Sequence, residues 1–262
     1  MRRALWLFLG IVALEGHDLY ILPERFFLES PSTLKIGFHN GDAFPESEAR
    51  PVLNRVRDTN LISAAGVLPM TGLRLEGKRA TAVGAIQQPG EQILTIRTVP
   101  NLIMLPSDQF LAYLKEEGLG HVIQWREEHR ELNKEGRERY SKYAKSIVLA
   151  GESDGFFNHE IGFPIEIVPE RDPYGAKAGE ALPVRVNFRG KPAAGLQLEA
   201  AWAGKGESRT TIVGRTDPGG RISVHLERAG LWRLHTLKME RCSEPAVADW
   251  ESLWASLTFE IR

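Results

Sequence analysis

The sequence predicts a mainly β protein with two immunoglobulin-like or prealbumin-like β-sandwich domains and an α-helical insert between them. Three observations lead to this fold class. Short apolar or alternating runs broken by turn residues fill residues 17–105, capped stretches with helical spacing fill 106–150, and short alternating runs return over 156–262. Alternation is typical of half-buried strands, whereas spacings of three and four residues indicate amphipathic helices. These three ranges are the predicted N-terminal sandwich, helical insert and C-terminal sandwich.

The N-terminal sandwich is predicted from strand runs separated by turn residues, such as Asn40-Gly41-Asp42 and Gln88-Pro89-Gly90-Glu91. The runs are Asp18 to Leu28, Thr33 to His39, Leu53 to Asp58, Leu61 to Ala65, Thr71 to Glu76, Ala80 to Ile86 and Gln92 to Val99. Their length and spacing favour antiparallel strands in a sandwich.

The insert is predicted to be all-helical. Pro106-Ser107-Asp108 can cap a first helix, and Gly118 stands where a C-terminal glycine belongs. Leu119 to Leu132 and Gly136 to Leu149 are expected to follow as two further helices. Beyond residue 156, about seven short strands in about 100 residues predict the second sandwich. Within its last strand, Trp250, Trp254 and Phe259 are interpreted as core residues.

Composition excludes several classes of protein. The chain has 262 residues, and its 33 basic and 34 acidic residues give a net charge of -1. This near-zero charge provides no field that would attract nucleic acid or anionic lipid. Cys242 is the single cysteine, so an intramolecular disulfide and a multi-cysteine metal cage are both excluded.

The first sixteen residues resemble a secretory signal peptide. Arg2 and Arg3 precede an apolar run, Ala4 to Leu14, that is too short to span a bilayer. We expect cleavage after Gly16, a periplasmic or secreted location, and no membrane span once the signal is removed. A buried first strand is the alternative for this segment.

Histidines are the main candidate ligands, and His17 leads them. After cleavage behind Gly16, the free amine and the imidazole of His17 could chelate one nickel, cobalt or copper ion. The neighbouring Asp18 could support that imidazole or lie at the surface. The other interpretation of His17 is an ordinary polar residue.

Further ligands are expected from other parts of the chain. His39 ends a predicted strand beside Asp42, and Glu46 and Glu48 follow in the same loop, so this loop could bind a cation. His159 could complete a site formed elsewhere. His225 and His235 would approach one metal if their strands formed a hairpin in register. His121 and His129 are two helical turns apart on a predicted helix, about 12 Å, and cannot share an ion there.

Catalysis is not predicted. The sequence has no His-Glu-x-x-His, Gly-x-Ser-x-Gly, P-loop or dinucleotide motif. Glu166 and Glu170 could serve a glycosidase as a carboxylate pair, but many acidic loops offer such a pair.

Several stretches resemble an uncharacterised bacterial exported family that is grouped with the periplasmic component of cobalt and nickel uptake systems of the ABC type. They are His17-Asp18-Leu19-Tyr20-Ile21-Leu22-Pro23, Phe110 to Gly118, Glu138 to Lys145, Gly162 to Pro169, Asp172-Pro173-Tyr174 and Asp249 to Phe259. The resemblance extends over nearly the whole mature chain and identifies no ligands.

Export, the His17 start and this resemblance together predict a non-catalytic protein that binds nickel, cobalt or copper for uptake or handling. The predicted ligands are His17, His39, His159 and Asp42. An inner-membrane transporter is the expected protein partner, and no nucleic acid is expected to bind. The alternative is a structural or interaction module of the cell envelope without a metal site.

Overall fold

A computed structural model describes residues 17–262. The signal peptide predicted at residues 1–16 lies outside the described residues. The described chain is mainly β, with two short helices that follow each other between strands in the sequence, which confirms the predicted fold class. None of the helices between residues 17 and 262 has the length and apolar character needed to cross a bilayer.

Eighteen strands and two α-helices make up the described chain. The strands are β1 (Leu19–Pro23), β2 (Phe27–Leu28), β3 (Ser32–Asn40), β4 (Val56–Ser63), β5 (Gly66–Pro69), β6 (Thr71–Glu76), β7 (Arg79–Ile86), β8 (Gly90–Thr98), β9 (Asn101–Leu105), β10 (Gly136–Ala150), β11 (Ile165–Pro169), β12 (Ala181–Phe188), β13 (Lys191–Pro192), β14 (Gln197–Gly204), β15 (Glu207–Arg215), β16 (Arg221–His225), β17 (Gly230–Arg241) and β18 (Trp250–Ile261). The helices are α1 (Ser107–Glu116) and α2 (Gly120–Glu128).

The strands form three sheets. A small N-terminal sheet has the order β1-β3-β7-β6, and a small C-terminal sheet joins β11, β12, β13 and β16. The third sheet has ten strands and runs β15-β14-β17-β18-β10-β8-β4-β5, with β2 and β9 both paired to β10. It therefore takes strands from both predicted sandwich segments. The division of the chain into domains at 17–105 and 156–262 stays a prediction.

Each small sheet covers its own apolar cluster on the large sheet. Ile21, Phe38 and Leu94 belong to the cluster under the N-terminal sheet, and Ile167 and Val184 to the cluster under the C-terminal sheet. Burial of apolar area of this kind is the main stabilising term of such a fold.

The helix predicted over Gly136 to Leu149 is wrong, because these residues form the long strand β10. β10 pairs in parallel with β18 and lies between the two small sheets, so both of its faces are buried. Ala144 and Val148 face the N-terminal cluster, while Ile147 packs into the C-terminal cluster. Apolar residues on two faces produce spacings of three and four that resemble a helical pattern.

The first part of the predicted insert is helical, as expected. Gly118 follows α1 with a φ of 66°, the left-handed conformation that a C-terminal glycine supplies. Phe110, Leu114 and Val122 pack with Trp250 and Trp254 on the end of the large sheet. Trp250, Trp254 and Phe259 are all buried, which confirms them as core residues.

Candidate metal centre

The pairing of β1 with β3 brings His17 next to Asp42. Leu19 lies opposite Asn40 and Tyr20 lies opposite His39. The two segments stay close just outside the paired strands. The Asp18 amide donates to Asp42 Oδ1 at 3.0 Å, and the Gly41 amide donates to the Asp18 carbonyl at 3.0 Å. The residue before Asp18 is therefore held against the turn that carries Asp42.

The candidate metal centre consists of His17, Asp42 and Glu48. His17 Nδ1 lies 2.8 Å from Asp42 Oδ2 and 3.8 Å from Glu48 Oε2. One ligand atom from each residue lies within 4.8 Å of the other two. The His17 side chain is 17% exposed, and the two carboxylates are more open. This spacing allows three side chains to reach one ion.

Backbone amides hold Glu48 in place. The Ala43 amide donates to Glu48 Oε2 at 3.1 Å and the Asp42 amide donates to it at 2.6 Å. These two hydrogen bonds hold the pKa of Glu48 below its usual value. The turn also needs Gly41, since a Cβ there would lie 2.8 Å from the Glu46 carbonyl oxygen. Glu48 is thus a pre-positioned carboxylate of this turn.

His39 does not join the centre. The β1–β3 register puts His17 on the face of Asn40 and Asp42, and it puts His39 on the opposite face with Tyr20. There the His39 ring stacks on Tyr20 with centroids 5.3 Å apart, and burial lowers the pKa of His39 to about 4. Glu46 does not belong to the candidate metal centre either. Its backbone carbonyl accepts a hydrogen bond from the Tyr20 hydroxyl at 2.6 Å.

His159 lies far from His17. It follows a 3-10 turn, Phe156–Asn158, whose first amide donates to Glu91 at 2.9 Å. Glu91 is the partner of Leu149 on β10, whereas the β10 residue that contacts His17 is Lys142. Seven residues of strand separate these two positions, so the two histidines are on the order of 20 Å apart. His159 therefore cannot share an ion with His17 in this fold.

The hairpin expected to join His225 and His235 is absent from the described residues. β16, which ends at His225, pairs with β12, whereas β17 pairs with β14 and β18. The two strands lie in different sheets, so the turn between them crosses from one layer to the other.

The remaining side chains considered for chemistry are engaged elsewhere. His121 Nε2 contacts the Met239 carbonyl at 3.0 Å, and the His129 ring stacks on Trp125. Glu166 forms a buried ion pair with Lys145 at 3.1 Å. Glu170 receives hydrogen bonds from the Arg221 guanidinium at 2.9 and 3.0 Å.

A buried ionic cluster lies directly behind the candidate centre. Asp18 Oδ2 lies 3.0 Å from Arg233 Nη1, and Asp18 Oδ1 lies 2.9 Å from His235 Nδ1. Burial acts to raise the pKa of Asp18, but His235 and Arg233 lower it to about 2. Arg233 also reaches Glu199 at 2.7 Å and donates to the Gly41 carbonyl at 3.2 Å. The cluster therefore connects β1, the Asp42 turn and the large sheet.

Sequence reasoning did not find this cluster. Its members are separated by most of the chain, and they meet only because β1 of the N-terminal sheet packs on the large sheet that carries β14 and β17. The one local signal is Asp18 itself, which has the same strand parity as the fully buried Tyr20. A carboxylate on a buried face requires a cationic partner.

The fold and the centre define a β-sandwich protein with a histidine–carboxylate group at the start of its first strand. The chain belongs to a family described as a domain of unknown function, DUF4198, whose model matches residues 14–240. This membership confirms the resemblance to an uncharacterised family. No curated protein matches the chain.

Solved structures resemble it weakly. The D0-D1 domain of intimin is 11% identical, with 92% of this chain and 97% of that chain covered and a TM-score of 0.24. FdeC, an adhesin of Escherichia coli, is 16% identical, with 91% and 62% covered and a TM-score of 0.24. A DUF4785 family protein of Legionella pneumophila is 11% identical, with 82% and 50% covered and a TM-score of 0.25. At these TM-scores the likeness carries no argument about function.

Proposed function

We propose that this is an exported, non-catalytic protein that binds a divalent transition metal for uptake or handling. The metal is nickel or cobalt, with copper as the alternative. The observation that carries the proposal is the convergence of His17, Asp42 and Glu48, whose ligand atoms lie within 4.8 Å of one another.

The donor set supports these metals. Imidazole nitrogen suits nickel and copper, and divalent ions of this series bind nitrogen more tightly toward copper. Cleavage after Gly16 would add the amine of His17, which forms a small chelate ring with Nδ1 of the same residue. Asp42 and Glu48 would supply oxygen ligands and offset the charge of the ion. An inner-membrane transporter is the proposed recipient of the metal.

Calorimetric titration of the mature protein with Ni²⁺, Co²⁺ and Cu²⁺ tests the proposal. His17→Ala should weaken binding by at least tenfold, because it removes the imidazole of the chelate. His129→Ala is the matched control, since it removes an exposed imidazole just after α2. A second control adds one residue before His17, which removes the free amine from the chelate ring while leaving every side chain unchanged.

Binding no tighter than the millimolar range for all three metals would reject the proposal and favour the envelope interaction module. Equal affinity of the His17→Ala and His129→Ala variants would also reject His17 as the anchor. N-terminal sequencing of the exported protein establishes whether the mature chain begins at His17.

A further inference from the structure

A cleft of about 650 Å³ lies between β15 and β16. Among residues 17–262, β15 pairs only with β14 and β16 pairs only with β12, so each strand is the edge of its sheet. The large sheet and the C-terminal sheet therefore do not close on each other at this side. The volume lies within the range of about 300 to 1,000 Å³ that is usual for small-molecule sites. None of the three candidate metal ligands lines this cleft.

The inner face of β15 is left uncovered. Thr211 lies opposite Ala200 and Arg209 lies opposite Trp202, and both of these β14 residues belong to the apolar cluster under the C-terminal sheet. Side chains directly opposite each other on neighbouring strands share a face, so Thr211 and Arg209 point toward that sheet. Both are nevertheless exposed, and both line the cleft. The cleft is therefore space between two layers that the described chain does not fill.

Two tryptophans form the floor of the cleft. Trp202 and Trp232 lie opposite each other on β14 and β17, and both rings are largely buried. The indole N–H of Trp202 donates to the Ala229 carbonyl at 2.9 Å, and that of Trp232 donates to the Arg228 carbonyl at 3.1 Å. Since both polar atoms are already satisfied, the tryptophans offer a ligand only the carbon surface of their rings.

Unpaired polar side chains stand on both walls. Thr211 on β15 and Ser223 and His225 on β16 line the cleft. Within residues 17–262, none of these three side chains forms a hydrogen bond with another group of the chain. A purely apolar ligand would remove them from water without replacing their hydrogen bonds, which is costly. A ligand with hydroxyl groups of its own would satisfy them.

The charges at the cleft are balanced. Arg209 lies 3.2 Å from Glu227, and Arg228 lies 2.7 Å from Glu207. Both ion pairs join β15 to the turn after β16, and the Arg228 guanidinium carbon also lies 5.1 Å from the centre of the Trp202 ring. An ionic ligand would compete with an existing partner for each charge, and an extended peptide along β15 would have to break both pairs. This arrangement favours a short, neutral ligand.

We infer that this cleft is a binding site for a short neutral saccharide. The apolar C–H face of a sugar ring would pack on the carbon surface of Trp202 and Trp232, and its hydroxyl groups would bond to Thr211 and Ser223. The carboxylates of the two ion pairs can accept further hydrogen bonds without losing their arginine partners. This site goes beyond the proposed function and is independent of the metal centre.

An array of neutral and acidic glycans, incubated with fluorescently labelled mature protein, is the first probe. Calorimetric titration with the best neutral glycan then measures its affinity. We expect at least one neutral glycan to bind, and its uronic acid analogue to bind at least tenfold more weakly. Raising NaCl from about 0.05 M to about 0.5 M should change the affinity by less than about twofold, because a neutral ligand exchanges no charge.

Three results would overturn the inference. They are no binding of any neutral glycan, binding of acidic glycans alone, and an affinity that falls steeply with salt. Binding of the apolar dye anilinonaphthalene sulfonate in the absence of any glycan binding would identify a site for apolar ligands and would likewise reject a saccharide.

Thr211→Trp and Thr210→Trp are a matched pair that locates the site. Thr211→Trp places an indole in the cleft and should weaken glycan binding at least tenfold. Thr210 is the next exposed residue on β15, but it lies opposite Ala201, which packs in a cluster with Tyr20 on the other face of the large sheet. Thr210→Trp should therefore leave glycan binding unchanged. Equal affinities of the two variants would place the glycan elsewhere and contradict the site.

Ser223→Ala gives a second test that does not depend on the folding of Thr211→Trp. It removes one exposed hydroxyl from the β16 wall and should weaken glycan binding by about threefold or more, because one hydrogen bond to the ligand is lost. Unchanged glycan affinity in Ser223→Ala would contradict recognition by the walls of the cleft.

Discussion

His235 Nδ1 lies 2.9 Å from the Asp18 carboxylate, and this contact ties the residue beside His17 to the middle of the large sheet. The other ring nitrogen lies 3.3 Å from Glu117 at the end of α1. Both nitrogens therefore face carboxylates, and only the imidazolium form can donate to both. Burial acts to lower the pKa of His235, but Asp18 and Glu117 outweigh it and raise the pKa to about 10.

His235→Gln should destabilise the protein most below neutral pH. The pKa of this histidine is raised from 6.5 to about 10 on folding, so the stability that it contributes is complete below 6.5 and is lost as pH rises through 10. Urea unfolding from pH 6 to pH 10 should show the difference in unfolding free energy between wild type and variant shrinking by on the order of 4 kcal/mol. His129→Gln controls for loss of an exposed imidazole, and a difference that stays constant with pH would contradict the charged His235.

Glu138→Gln should stabilise the protein at alkaline pH relative to wild type. Burial raises the pKa of Glu138 to about 7, although hydrogen bonds from Ser252 and Tyr113 act to lower it. Because 7 lies above the unfolded value of 4.5, the wild-type protein loses stability as pH rises from 4.5 through 7. Between pH 5 and pH 8, the unfolding free energy of the variant should rise relative to that of wild type by on the order of 2 kcal/mol.

Glu152→Gln is the control for this measurement, since Glu152 is an exposed carboxylate on a turn. If the difference in unfolding free energy between Glu138→Gln and wild type is the same at pH 5 and pH 8, Glu138 does not titrate in this range.

Gly136→Ala should weaken the contact between α1 and β10. A Cβ at Gly136 would lie 2.2 to 2.4 Å from atoms of the Phe110 ring, which is fully buried and cannot move freely. Overpacking of this kind costs about 1 to 3 kcal/mol of unfolding free energy. Gly120→Ala is the matched control, because its Cβ would meet nothing within 4 Å and should be neutral or slightly favourable.

Phe110→Leu combined with Gly136→Ala should recover part of the loss, since the smaller side chain leaves room for the new methyl group. Strict additivity of the two substitutions would place the strain elsewhere.

Local periodicity was sufficient for the fold class and for most strands, but it failed at β10. Tyr140, Tyr143, Ala144 and Ile147 have helical spacing only because the strand is covered on both faces. The parallel pairing of β10 with β18 joins residues more than a hundred positions apart, and no nearby turn signals it. The single Gly136 between a helix and an apolar run was a weak indication that the insert ended there.

The part of the candidate site that could be predicted from the sequence is the part whose residues lie close together along the chain. Asp42 and Glu48 belong to one turn, and strand pairing brings His17 to it. The structure does not bring His39 to this group, because His39 is three residues from Asp42 and the β1–β3 register places it opposite Tyr20, on the other face of the sheet. Lys142 could not have been identified, because its burial beside His17 depends on how the large sheet packs under β1.

Two buried hydroxyl groups of β18 should control how firmly β1, and with it His17, is held. β1 is an edge strand of the N-terminal sheet, so its outer carbonyls lack a ladder partner. Ser256 Oγ donates to the Leu19 carbonyl at 2.7 Å, and Thr258 Oγ1 donates to the Ile21 carbonyl at 2.6 Å. Removing either donor leaves a buried carbonyl unsatisfied, at a cost of about 1 to 3 kcal/mol.

Thr258→Val preserves the shape of the side chain, so its effect isolates the hydrogen bond, and Ser208→Ala on the exposed strand β15 is the control. We expect both Ser256→Ala and Thr258→Val to speed amide hydrogen exchange in β1 and β3 more than in the C-terminal sheet, because only the docking of β1 is weakened. Metal affinity should fall with them, since a loosened β1 must be reordered before His17 can meet Asp42. Uniformly faster exchange across the whole chain, with unchanged metal affinity, would show that the hydroxyls support global stability and leave the position of His17 to the Asp18 cluster.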